Sequence, residues 1–371
     1  MAAQPPALTT RALNRALLAR QLLLERSDRS ALSAIEHLVG LQAQAPQAPY
    51  AGLWSRLAGF TPDALSRLLI ERQAVRVAVM RGTIHLVSAE DCLTLRPLTQ
   101  PVHQRSFQGN WGKRIPDVDL ALLAEQARTL VDATPMTFEA LGRALVVHWP
   151  GRDPASLAQA GRVMLALVQP PPRGVWRASG AARHTTAEAW LGRPLATAPS
   201  LDDLVLRYLA AFGPASVLDA QAWSGLTRLG EVFTRLRPRL MVFRDAVTGR
   251  ELFDLPDAPR PDGATPAPVR YLAEFDNALL AHADKTRIIG DAERAVIQTV
   301  NGQVLGTVLV DGFVRAAYKV LIGKGTTRLT ISALGPALSK KDSTAIAAEG
   351  RRLLAFAAAD GEQSELTFAA V

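Results

Sequence analysis

The chain contains a single cysteine, Cys92. This excludes intrachain disulfides and multi-cysteine zinc sites, and it fits a reducing compartment, so a cytoplasmic protein is expected. No apolar run approaches the ~20 residues that a membrane-spanning helix needs. The apolar stretch Leu17–Leu24 is interrupted by Arg20 and Gln21 and does not read as a secretory signal. No GxxxxGKS or GxxxxGKT loop occurs, no glycine fingerprint opens a helix after a strand, and neither HExxH nor GxSxG is found. The six histidines, His37, His85, His103, His148, His184 and His282, are scattered without ligand-like pairing. Neither a metal nor a nucleotide cofactor is expected.

What is present is a chain of 371 residues, 48% hydrophobic, enough for two to four modules with buried cores. The net charge is +8 and arginine greatly outnumbers lysine. Two explanations stand side by side: a GC-rich genome, or an anionic partner such as nucleic acid, whose phosphates suit the guanidinium fork.

The pattern predicts an α+β fold of tandem winged-helix motifs with a small C-terminal antiparallel sheet or β-barrel. In a first region, 1–115, Thr10 caps a helix through Leu24 and Ser30 caps another through about Leu41. Further helices run from Pro49 to Leu57 and from Pro62 to Arg72. "AVRVAVMRGTIHLV" then reads as two strands turning at Arg81-Gly82. A second region, 116–198, repeats the order, with "GVWRASG" as its wing strand. A third, 199–256, has Ser216 and Asp219 in capping-box spacing and a hairpin turning at Thr248-Gly249. The remainder, 257–371, holds short strand-like runs with Gly-containing turns, a helix from about Lys341 to Ala359, and a last strand near Leu366–Phe368.

One uncharged stretch carries chemistry. "LVGLQAQAPQAPYAGLWSRL" places Gln42 and Gln44 two apart. Pro46 biases Ala45 away from helix, so the stretch is expected to be extended, with both amides on one side and Ala43 on the other. Neutral amides can orient a water molecule but hardly accept a proton. A reaction that tolerates so weak a catalyst has a leaving group activated in advance, such as a purine alkylated at N7 or N3, whose cationic ring departs without prior protonation. The residues alone leave a second reading open, in which the glutamines cap a helix end.

"SALSAIEHLVGLQAQAPQAPYAGLWSRL" followed by "VRVAVMRGTIHLVSAED", with the later "LAEFDNALLAHADKTRII" and "GTVLVDGFVRAAYKV", resembles the winged-helix DNA glycosylases of the AlkZ/YcaQ type. The resemblance runs in order from about Thr10 to the final helix. It implies tandem winged helices around a β-barrel, a basic channel for double-stranded DNA, and excision of alkylated purines with unhooking of interstrand crosslinks. The family's motif, a glutamine, an aliphatic residue, then glutamine or aspartate, falls on Gln42, Ala43 and Gln44. The second glutamine is similar to the AlkZ branch, associated with resistance to crosslinking natural products. Ala43 is small for the middle position, and Ala273 stands where relatives often carry proline.

Arg81, Thr83 and His85 surround the hairpin turn and are expected either to reach DNA phosphate or sugar, or simply to stabilise the wing. Lys324 and Arg328 sit at a C-terminal hairpin that, by resemblance, would probe the minor groove; a solvated turn is the other reading. Asp276, Asn277 and His282 are expected either to orient active-site groups or to satisfy a turn. Arg228, Arg235, Arg237, Arg239, Arg244 and Arg250 make the third region a phosphate-contacting surface or a solvated face. No lysine is placed for Schiff-base chemistry, so a monofunctional glycosylase without lyase activity is expected, with no cofactor and no obligate protein partner, and associated with the nucleoid when bound to DNA. The rival is a non-enzymatic winged-helix regulator.

Overall fold

The computed structural model describes residues 4–298, 302–323 and 325–369. Lys324, singled out above, lies outside them. Helix starts follow local chemistry. Thr9 rather than Thr10 caps the first helix, Thr10–Arg20, its hydroxyl accepting from the Ala12 amide. Ser30 caps Ala31–His37 and Thr137 caps Phe138–Leu145. The capping box forms as expected: the Asp219 amide donates to the Ser216 hydroxyl, and the Ser216 amide donates back to the Asp219 carboxylate at 2.8 Å.

Three sheets organise the chain. The first hairpin, Ala74–Ala78 and Ile84–Ser88, is antiparallel, with Val77 opposite His85. It is the centre of a five-stranded sheet rather than a free wing. Leu41–Gln42 pairs with one edge, and Leu167–Val168 followed by Thr185–Thr186 extends the other. "GVWRASG" is not a strand. Pro170, Pro171 and Pro172 precede it without amide hydrogens for a ladder, and Trp176 is held by its ring, against Tyr50 at 4.7 Å and Phe356 at 5.5 Å. The second sheet comprises Ala7–Leu8, Met241–Asp245 and Glu251–Asp254. Its hairpin, Met241–Asp245 and Glu251–Asp254, follows the helices Leu201–Phe212, Val217–Ser224 and Leu229–Leu236.

The expected antiparallel barrel does not form. The C-terminal sheet is open, in the order Gln363–Ala369, Thr326–Ala333, Phe313–Ile322, Gly306–Val310, Arg270–Leu272. Two physical reasons act together. The helix Lys340–Ala357 packs Ile346, Leu353 and Leu354 onto the face a barrel would enclose, against Tyr271, Val308, Leu329 and Ile331. The same helix is a crossover, so Gln363–Ala369 arrives parallel to Thr326–Ala333 instead of returning to close the sheet on Arg270–Leu272.

One large core joins these parts, with Leu17, Val77, Val168, Phe212, Trp223 and Leu272 in a single cluster. Buried ion pairs tie distant segments together. Arg20 meets Asp254 at 2.6 Å and Arg56 meets Asp276 at 2.8 Å, all four side chains being essentially inaccessible.

Candidate active site

The helix Ala31–His37 ends four residues before Leu41 because the chain turns sharply at Val39 and Gly40, with φ of 54° and 87°. Glycine is required at the second position. A Cβ on Gly40 would lie 2.7 Å from Val87 Cγ1 and 3.0 Å from the Leu86 carbonyl oxygen. The turn delivers Leu41–Gln42 to the edge of Ile84–Ser88, with Gln42 opposite His85. The Ala43 amide then donates to the Ile84 carbonyl at 2.8 Å. The stretch is therefore extended, as the spacing implied. Ala43 is fully buried in the neighbouring core, while Gln42 and Gln44 line one cleft of about 630 Å³. Its other walls come from Arg81, Thr83, Glu274, Phe275 and the segment Gly302–Leu305.

Both amides are oriented by groups that can only donate. Arg81 Nη2 donates to Gln42 Oε1 at 2.7 Å, and the Ile84 backbone amide donates to Gln44 Oε1 at 3.3 Å. Each carbonyl oxygen keeps a second lone pair, and each NH₂ group is not drawn toward those donors. Gln42 is mostly buried, at 7% exposure, whereas Gln44 is exposed.

Arg81 sits in a left-handed backbone conformation, φ 57°, inside the tight turn Met80–Gly82. Its guanidinium faces protein, donating to the Trp223 carbonyl oxygen as well as to Gln42, and to Asn277 Oδ1 at 3.2 Å. Burial lowers its pKa to about 10, which leaves it charged at neutral pH. Asn277 Nδ2 in turn donates to the Gly40 carbonyl at 3.2 Å, so Asn277 links the turn before Gln42 to the arginine that holds Gln42. Asp276 takes both Arg56 guanidinium nitrogens at 2.8 Å and caps the helix Asn277–Leu280. His282 lies elsewhere, buried with Nε2 at 3.0 Å from the Phe212 carbonyl oxygen.

His85 is completely buried. Its Nδ1–H donates to the Thr83 carbonyl at 3.0 Å, and its Nε2 has no partner among the described residues. Desolvation first, and the Arg81 charge second, push its pKa down to about 3, so the ring is neutral. His85 lies opposite Gln42 across the strand pair and is not among the residues lining the cleft. Thr83 lines the cleft, with its hydroxyl donating to the Met80 carbonyl at 3.1 Å. Arg328 is exposed and paired with Glu365 at 2.7 Å on the C-terminal sheet, outside the cleft lining. Of the arginines in the third region, Arg235 is paired with Asp202 and Arg237 with Glu251.

Glu274 escaped the sequence reading although it lies two residues from Asp276. The intervening Phe275 has φ 58°, and this left-handed residue sends Glu274 into the cleft and Asp276 into the interior. Partial desolvation raises the Glu274 carboxyl above its ordinary pKa, opposed by the Lys319 charge. Among the described residues no three His, Cys, Asp or Glu side chains converge as a metal site would require.

The family model "DNA glycosylase AlkZ-like" matches residues 35–356. An interstrand DNA cross-link repair glycosylase from Streptomyces sahachiroi is 24% identical over 324 residues, which span 81% of this chain and 85% of that protein. The solved structure of the Streptomyces sahachiroi DNA glycosylase AlkZ superposes with a TM-score of 0.78 at 19% identity, covering 98% of this chain and 100% of the other. The family match decides between the enzyme and the non-enzymatic regulator left open by the sequence. A chain matched over most of its length, with its paired glutamines in one cleft, belongs to the AlkZ-like DNA glycosylases.

Proposed function

We propose that this glycosylase excises purines made cationic by alkylation at N7 or N3, and that it unhooks interstrand crosslinks built on such purines. The observation that carries the reading is the shared cleft of Gln42 and Gln44, with Gln42 clamped by a charged donor. A cationic purine is a good leaving group, so the glycosidic bond breaks without a strong general acid. What the site must supply is an oriented water and stabilisation of the sugar as it becomes oxocarbenium-like. The free lone pairs of the two carbonyl oxygens hold the water toward C1′, while the NH₂ groups contact the sugar or its leaving base.

The name of the Streptomyces relative, a cross-link repair glycosylase, supports the crosslink part of the reading. So does the openness of the site, since a base still tethered to the opposite strand cannot be turned into a tight pocket. Thr83 at the rim and Arg328 on the exposed sheet are assigned to the DNA backbone, whereas Arg81 and His85 are assigned to positioning. The test is incubation with duplex DNA carrying N7-methylguanine, followed by alkali, which breaks the strand at an abasic product. Wild-type protein should give breaks at the lesion. A Gln42→Ala/Gln44→Ala variant that excises at the wild-type rate would falsify the glutamine mechanism.

A further inference from the structure

The glutamine mechanism leaves two charges unattended. The sugar becomes positive as the base departs, and the attacking water must lose a proton that an amide hardly accepts. We propose that Glu274 serves both needs: its carboxylate faces the cationic sugar and takes the proton from the water held by Gln42 and Gln44. This deepens the proposed function and rests on it.

Four observations converge on this residue. Glu274 is the only acidic side chain among the described residues lining the cleft. The one cation among the described lining residues, Arg81, has its guanidinium taken up by Trp223, Gln42 and Asn277. Glu274 forms no hydrogen bond or ion pair among the described residues, in contrast to its near neighbour Asp276, which is locked to Arg56. The left-handed Phe275 separates the two carboxylates, sending one inward and keeping the other in the cleft. A carboxylate held at the edge of a partly desolvated site acts on developing charge more strongly than one in bulk water.

The step balances. The C1′–N bond breaks heterolytically and its electron pair leaves with the purine, which becomes neutral. The water oxygen forms the C1′–O bond, and one of its protons passes to the Glu274 carboxylate.

The test uses the full chain and the variant Glu274→Gln, which keeps shape and removes charge. Two readouts are taken: single-turnover excision of N7-methylguanine, and affinity for duplexes carrying either a protonated pyrrolidine or a neutral tetrahydrofuran in place of the lesion sugar. Wild-type protein should prefer the pyrrolidine duplex. The variant should lose about 100-fold in excision rate, as expected for removing a general base, and should lose the pyrrolidine preference while binding tetrahydrofuran duplex as wild type does. Because Glu274 forms no hydrogen bond or ion pair among the described residues, the variant's melting temperature should stay close to the wild-type value. A variant that keeps both the rate and the preference overturns the inference. If wild-type protein leaves N7-methylguanine intact, the proposed substrate class fails, and the pyrrolidine comparison still decides whether Glu274 meets positive charge.

Discussion

Replacing Arg81 with methionine separates two roles that the sequence could not. Read from the chain alone, Arg81 is either a DNA contact at a hairpin turn or a residue that stabilises that hairpin. In the structure its fork grips Gln42 Oε1 at 2.7 Å, Asn277 at 3.2 Å and the Trp223 carbonyl. A hydrogen bond to a charged group contributes about 1.5–3 kcal/mol. Losing the one that fixes Gln42 should therefore lower single-turnover excision roughly 10- to 100-fold, at about 1.4 kcal/mol per tenfold. The Trp223 carbonyl and Asn277 Oδ1 would also lose their donor, adding on the order of 1–3 kcal/mol of destabilisation for each group left buried and unpaired. Affinity for tetrahydrofuran-containing duplex should change less than about threefold, because this guanidinium faces protein. Arg81→Lys should rescue little: a point charge cannot serve three acceptors set out for a planar fork. The reasoning is refuted if Arg81→Met weakens DNA binding at least tenfold yet excises at the wild-type rate once enzyme is saturating. Arg81 would then be a backbone contact.

Further outcomes can be checked independently. Asp276→Asn leaves Arg56 buried without its counter-charge and should cost about 3–5 kcal/mol in denaturant unfolding; Asp276→Asn paired with Arg56→Met should recover much of that loss. Gly40→Ala drives a methyl group into Val87 and the Leu86 carbonyl at a positive φ, so it should destabilise the fold by more than about 1 kcal/mol and slow excision by displacing Gln42. His85, His103 and His282 each have a pKa pushed down to about 3 by burial. The unfolded chain therefore takes up protons first on acidification. Their contribution is complete above about pH 6.5 and falls by up to about 1.4 kcal/mol per pH unit per histidine toward pH 3, so the urea midpoint should drop steadily between pH 7 and pH 5. If DNA contacts are mainly to phosphate, log affinity for duplex should fall steeply and linearly with log salt concentration.

Much of the site was legible because the relevant rules are local. A proline two residues after Gln44, and Ala43 between the amides, were enough to predict an extended segment with both glutamines on one side. The cap residues Ser30 and Ser216 act through their own neighbouring amides, and both were placed correctly. What escaped depended on distant partners or rare backbone. Nothing in a phenylalanine announces the left-handed conformation of Phe275, so Glu274 could not be separated from Asp276. For His85 the choice between a DNA contact and a residue that stabilises the hairpin stayed open, because its burial opposite Gln42 is decided by a strand more than 40 residues earlier in the chain. The barrel was expected from strand-like runs together with the family resemblance; whether such runs close depends on where the following helix packs, and here that helix lies against one face of the open sheet.

The fork of Arg81 joins the Gln42 amide to a backbone carbonyl 142 positions beyond the arginine in the chain. Gln42 is thus set by a helix that contributes none of the cleft's lining residues. A fragment ending before Trp223 would carry both amides yet have no means of aiming one of them. Under the proposed glutamine mechanism, swapping the region around Val217–Ser224 between relatives would retune turnover without touching a lining side chain, which would make catalytic competence a property of the assembled chain rather than of its motif.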